Sequence, residues 1–147
     1  MLNYLLSTAD KVRGNEVKTS NATVKTILVV EDEPAISQIC LRTLTSEGFE
    51  VDIAVDGNVT QDMLGKKDYD LCLIDIRTPV MNGKQLYQVI LEKQPKLASG
   101  VIFTAGDITD GYSQRFLKLA RRPFLPKPFT PDELKTIVKE TLREIGK

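Results

Sequence analysis

Four short apolar runs constrain this chain more than anything else in it: ILVV at residues 27–30, LCLI at 71–74, VIF at 101–103 and FL at 124–125. Segments with helical periodicity separate them. Runs so short, flanked by helix-period sequence, read as buried parallel strands. A fifth strand is expected where Val51, Ile53 and Val55 alternate with polar neighbours, the pattern of a half-exposed edge. Pro34 opens a helix whose inward face carries Ile36, Ile39, Cys40, Thr43 and Leu44, and Gly48 ends it. A weak helix follows from about 58 to 65. A third opens at Gly83 and stops at Pro95, a fourth runs from Tyr112 to Ala120, and a fifth is capped by Thr130 and Glu133 around Pro131. Five strands alternating with five helices make a doubly wound α/β domain with helices on both faces of the sheet.

Charge and composition remove several function classes. Lys and Arg together number 20, as do Asp and Glu, so the balance argues for neither nucleic-acid nor membrane-surface binding. The absence of His excludes His-based catalysis and a phosphohistidine within these 147 residues. Cys40 and Cys72 sit in apolar segments without metal-ligand spacing and read as reduced core thiols. No apolar run is long enough to cross a bilayer, and a cytoplasmic location is expected.

The chemistry lies where the strands stop. Glu31-Asp32, Asp75, Thr104 and Lys127 each follow one of the four runs. In open parallel sheets the ligand sits at the carboxyl ends of the strands. Acids gathered at one rim repel unless a cation lies among them, and Mg²⁺ takes a few carboxylates, water and phosphate oxygens. Asp75, ending the most continuous apolar run, is the candidate nucleophile toward phosphorus. Asp32 is expected to touch Mg²⁺ directly, and Glu31 through a water. The Thr104 hydroxyl suits a phosphoryl oxygen, and the ammonium of Lys127, held between Pro126 and Pro128, suits the same phosphate. Taken singly, each residue has an ordinary explanation as a cap, a β-former or a solvated charge. Their joint occurrence in this order is specific.

ILVVEDEP, LCLIDIRTPVMNG, VIFTAG and FLPKPFTPDEL resemble the receiver domain of two-component response regulators and hybrid sensor histidine kinases, over about residues 25 to 147. The resemblance implies a flavodoxin-like sheet of order 2-1-3-4-5. It also implies a phosphoacceptor signalling domain that is not an enzyme beyond its own phosphoryl transfer and dephosphorylation. Matched by motif, Asp75 accepts the phosphoryl group and Thr104 and Lys127 bind its oxygens. Mg²⁺ falls to Glu31, Asp32, Asp75 and the backbone carbonyl of Arg77. Thr104 and Phe124 occupy the switch positions, and the Lys127-Pro128 peptide is expected to be cis. The implied partner is a histidine kinase or histidine phosphotransfer protein. A homodimer is a further expectation, through the face of the fourth helix, fifth strand and fifth helix or through the N-terminal segment. Two residues depart from the pattern. Thr78 stands where Met usually precedes the Pro, with packing the expected effect, and Arg77 places a long cation beside the site, with an expected effect on hydrolysis. Residues Phe116 to Leu125 look more like receivers attached to hybrid kinases.

Residues 1–24 fall outside the resemblance and are expected to form a helical extension and linker. Leu2, Leu5, Leu6, Ala9 and Val12 share one helical face and Gly14 offers a stop. Packing on the domain or a neighbouring chain, a paired-helix dimer, a frayed tail and the remnant of an upstream helix all stay open. No output domain is expected after the last helix, which fits either a protein acting alone through contacts or a piece of a larger one. Competing readings of the site fare worse. A haloacid-dehalogenase-type phosphatase needs a second Asp where Arg77 stands, and a nucleotide binder's phosphate would be repelled by Glu31-Asp32-Glu33. A degenerate receiver would have lost one of the five site residues.

Overall fold

In the computed structural model, which describes residues 24–147, strand and helix alternate: β1 (Thr26–Val30), α1 (Pro34–Ser46), β2 (Glu50–Ala54), α2 (Gly57–Lys66), β3 (Leu71–Asp75), α3 (Gly83–Lys93), the single turn α4 (Pro95–Ala98), β4 (Val101–Ala105), α5 (Gly111–Ala120), β5 (Phe124–Pro126) and α6 (Pro131–Ile145). All strand pairs are parallel and the sheet order is β2-β1-β3-β4-β5, the expected 2-1-3-4-5. The amphipathic stripe expected at residues 1–13 lies outside the described residues.

The pleat divides the core in two. Ile27, Val29, Leu71, Leu73, Ile102 and Leu125 face Cys40 and Leu44 of α1 and Leu134 and Val138 of α6. On the other side Leu28, Val30, Cys72, Ile74 and Phe103 meet Leu64 of α2 and Leu86 and Ile90 of α3. Strands β3 and β4 are buried at every residue, which is why their sequences run apolar without alternation. Edge-to-face contacts of Phe103 with Tyr87 (5.4 Å between centroids) and Phe116 (5.1 Å) lock β4 to α3 and α5.

Caps appear largely where the sequence placed them. Thr130 and Glu133 form a reciprocal capping box on α6, Pro34 and Pro131 fall in first turns, and Gly48 leaves α1 at φ 94°. Four details differ. Pro95 ends one helix but also opens α4, since a first-turn proline loses no helical hydrogen bond. The second strand ends at Ala54, leaving Val55 exposed beyond it. Strand β4 extends through Ala105, so Thr104 lies within the ladder. In α1 the buried residues are Ser37, Cys40 and Leu44, whereas Ile36 and Ile39 are only half-buried. Ser37 tolerates burial because its hydroxyl donates to the Pro34 carbonyl at 3.2 Å.

Register brings the strand ends to one rim. Val30 lies opposite both Ala54 and Ile74, Asp75 opposite Thr104, and Ala105 opposite Pro126. Glu31 therefore emerges beside Asp75. Lys127 follows β5 with its N–H donating to the Ala105 carbonyl at 2.8 Å.

Candidate functional site: an acidic cleft around one ammonium

Lys127 is the hub of this rim. Its Nζ lies 2.8 Å from Glu31 Oε1, 3.1 Å from Asp75 Oδ2 and 3.2 Å from Glu33 Oε1. Its side chain is 12% exposed, against 1% for Glu31 and 7% for Asp75, so the first two pairs lie inside the protein. Each acid has a backbone tether as well. Asp75 Oδ1 accepts from the Arg77 N–H at 3.0 Å, and Glu31 Oε2 from the Glu33 N–H at 3.1 Å. Burial pushes the Glu31 carboxyl above its ordinary pKa, partly offset by Lys127. Burial opposes the Lys127 charge too, but Glu31 and Asp75 outweigh it and hold that pKa above the usual lysine value. The Lys127-Pro128 peptide is cis.

Three carboxylates around one ammonium leave negative charge over. Carboxylate oxygens of Glu31, Asp32 and Asp75 lie within 4.8 Å of one another, with Asp32 exposed toward the cleft. An all-oxygen, partly solvated set of this kind fits a hard divalent cation. The cleft, of about 610 Å³, is lined by Asp32, Glu33, Asp75, Arg77, Gly106, Asp107, Thr109 and Lys127. On the strand beside Asp75, the Thr104 hydroxyl is buried without any hydrogen-bond partner. Buried hydroxyls are nearly always paired, so this one marks a place for an acceptor oxygen.

The structure thus brings Glu31, Asp32, Asp75, Thr104 and Lys127 together at one end of the sheet. Phe124 starts β5 half-buried, in register with Phe103. The Arg77 guanidinium turns away from the acids: it donates to the Asp107 carbonyl at 3.1 Å and lies 3.6 Å from Asp110, which caps α5. Its cation therefore ties two loops across the cleft mouth. Cys40 stands near the acids, where burial raises its thiol to about 12 and leaves it inert.

Sequence reasoning missed Glu33, Thr78 and Val80. Glu33 lay in plain view within the run Glu31-Asp32-Glu33, but nothing in the run says which acids turn toward Lys127. Thr78, read as a packing variation, is 4% exposed, and both its N–H (3.1 Å) and its hydroxyl donate to the Asp75 carbonyl. Val80 adopts φ 71°, a strained conformation for a β-branched residue, while Met81 N–H donates across it to the Pro79 carbonyl at 2.8 Å.

Comparison with known proteins decides the family. The chain matches the response regulator receiver domain over residues 27–139. It belongs to that family. The receiver is 31% identical to sensor kinase CckA of Brucella abortus over 141 residues, which is 90% of this chain and 14% of that protein. It is 30% identical to the transcriptional regulatory protein CutR of Streptomyces coelicolor over 108 residues, 74% of this chain and 49% of CutR. The chain thus spans half or less of these curated relatives. Among solved structures it superposes on a CheY-like receiver domain from Methanospirillum hungatei with TM-score 0.77 and 28% identity, covering 84% of this chain and 98% of that one. The receiver domain of sensor histidine kinase PA1611 from Pseudomonas aeruginosa, solved with a magnesium ion coordinated in its active site cleft, matches with TM-score 0.72 and 25% identity, covering 82% and 99%. Among the described residues no helix is long and apolar enough to cross a membrane.

Proposed function

We propose that this receiver, from about Lys25 to Lys147, takes a phosphoryl group onto Asp75 from a phosphohistidine outside these 147 residues, on a histidine kinase or histidine phosphotransfer protein, in the cytoplasm. A carboxylate oxygen of Asp75 attacks phosphorus, the phosphorus–nitrogen bond breaks, and the imidazole leaves with the electron pair. Glu31, Asp32, Asp75 and the Arg77 carbonyl would hold Mg²⁺, which when bound neutralises charge on the transferring group. Lys127, now shared among three acids, turns to the phosphoryl oxygens. The observation that carries the reading is the Thr104 hydroxyl: buried, unpaired and in register with Asp75, it is a donor waiting for an oxygen.

Drawing Thr104 toward a phosphoryl oxygen vacates space beside β5 for the Phe124 ring to move inward. That motion changes the surface of α5, β5 and α6, the face this reading assigns to partner or homodimer contacts. Residues 1–24 are an extension to the receiver in the same reading. Acetyl phosphate with Mg²⁺ should add one phosphoryl group by intact mass, and Asp75→Asn should prevent it. Equal labelling of both proteins would remove Asp75 from the role. Beryllofluoride should shift NMR resonances around Phe124 as well as Asp75, and shifts confined to the acidic cleft would sever the switch from the site.

A further inference from the structure

The Asp75 carbonyl has an unusual partner. Along β3 and just past it the residues facing β4 bond to β4 and its flank, as in the 3.0 Å bond from the Cys72 N–H to the Gly100 carbonyl and the 2.9 Å bond from the Ile76 N–H to the Thr104 carbonyl. Asp75 faces the other way, toward β1, and β1 ends at Val30. The Glu31 N–H that follows points to β2, donating to Ala54 at 2.9 Å, and the Asp32 N–H, next on the Asp75 side, lies beyond the strand and makes no backbone hydrogen bond. Left to the sheet, the carbonyl behind the phosphoacceptor would lack a donor. Thr78 supplies two, its N–H at 3.1 Å and its hydroxyl, filling both acceptor positions of that oxygen.

Closure of this turn has a consequence for the carboxylate. Arg77 lies inside the Asp75–Thr78 turn, and its N–H is the group that holds Asp75 Oδ1 at 3.0 Å. The turn is confined from the far side as well: a Cβ built on Gly83 would come within 2.8 Å of Ile76 Cα and 3.2 Å of the Asp75 oxygen. With Thr78 only 4% exposed, water does not readily substitute for its hydroxyl.

We propose that Thr78 is a positioning residue for the phosphoacceptor: its buried hydroxyl closes the turn that aims the Arg77 N–H at Asp75 and so sets the carboxylate's orientation for transfer. The inference rests on Asp75 being the acceptor, but the turn itself can be read without phosphorylation. A hydroxyl three residues beyond a carbonyl commonly donates back to it, as Ser37 does to Pro34. This one closes on the carbonyl of the reacting residue.

Thr78→Val removes the hydroxyl at nearly constant shape, and Thr78→Ser keeps it. Under conditions where all variants are folded, the maximal rate of acetyl phosphate labelling should fall about tenfold in Thr78→Val, the size of effect seen when a residue orienting a reacting group is lost. The donor concentration for half-maximal rate should stay put, and Thr78→Ser should restore the rate. Amide exchange at Arg77, followed by NMR, should quicken in Thr78→Val alone. Wild-type labelling together with unchanged Arg77 exchange in the Val variant would overturn the inference. A chain that takes no phosphoryl group, yet shows the Arg77 response reversed by Ser, would refute the phosphoacceptor reading while upholding the turn.

Discussion

Replacing Lys127 by Met keeps the length of the stem and deletes the charge that holds the rim together. Glu31 and Asp75, at 1% and 7% side-chain exposure, would then face each other with no cation between them. Breaking a buried ion pair by removing one partner costs about 3–5 kcal/mol. Two effects pull the value toward the lower end: the cleft is open to water, and Glu31, already raised by burial, can answer by taking up a proton. The expected loss is about 3 kcal/mol at neutral pH, a large part of the 5–15 kcal/mol typical of a domain. Urea unfolding followed by far-ultraviolet circular dichroism, with a chelator present, measures it directly. Repeating the titration with Mg²⁺ separates charge from packing. The variant should gain more stability from the metal than the wild type does, because an ammonium no longer competes for the same carboxylates. A loss below about 1 kcal/mol, the ordinary worth of an exposed pair, or an identical Mg²⁺ response in both proteins, would refute the reasoning.

Thr104→Val should raise stability by about 1 kcal/mol, because it removes a buried hydroxyl that has no partner; the aspartyl phosphate should meanwhile become shorter-lived or slower to form, read by intact mass over time. Tyr69→Phe tests the β2 edge. Burial raises Asp52, but the Tyr69 hydroxyl at 2.7 Å and Lys67 at 3.0 Å outweigh it and hold the carboxyl below its ordinary value. A depressed carboxylate contributes stability that is present above its ordinary pKa and lost as pH falls through the folded one. The variant should therefore lose about 1.5 kcal/mol at neutral pH and less near pH 3, a difference that chemical unfolding across that range resolves. Gly57→Ala would place a Cβ 2.4 Å from that of Met81 and should cost about 1–3 kcal/mol in thermal or chemical unfolding.

What could be read from the sequence follows from which interactions are local. The strands were legible because burial on both faces leaves uninterrupted apolar runs, and the residue that ends each run stands at the rim by necessity. Glu31, Asp32, Asp75, Thr104 and Lys127 were visible for that reason. Glu33 was not, because facing Lys127 depends on the chain's path after β1 and on a residue 94 positions away. Thr78 was misjudged because a hydroxyl's importance lies in the atom it meets, and here that atom is a backbone oxygen with no sequence signature. The requirement for Gly57 becomes apparent only when Met81 is seen against it, and the strained φ of Val80 runs against every local preference of valine.

Strand β5 has a consequence beyond delivering Lys127. It is three residues long, and Pro126, on its open side, carries no N–H to offer a neighbour, while the Pro123 carbonyl accepts from Phe103 of β4. At the opposite margin, β2 presents Glu50 and Asp52 with Lys67 folded over them. Short, proline-blocked and charged margins are the devices that keep open sheets from adding strands of other molecules. Pro126, which precedes the ammonium-bearing Lys127, therefore also guards the open edge. Both margins of this sheet thus carry features that disfavour its growth from one molecule into the next.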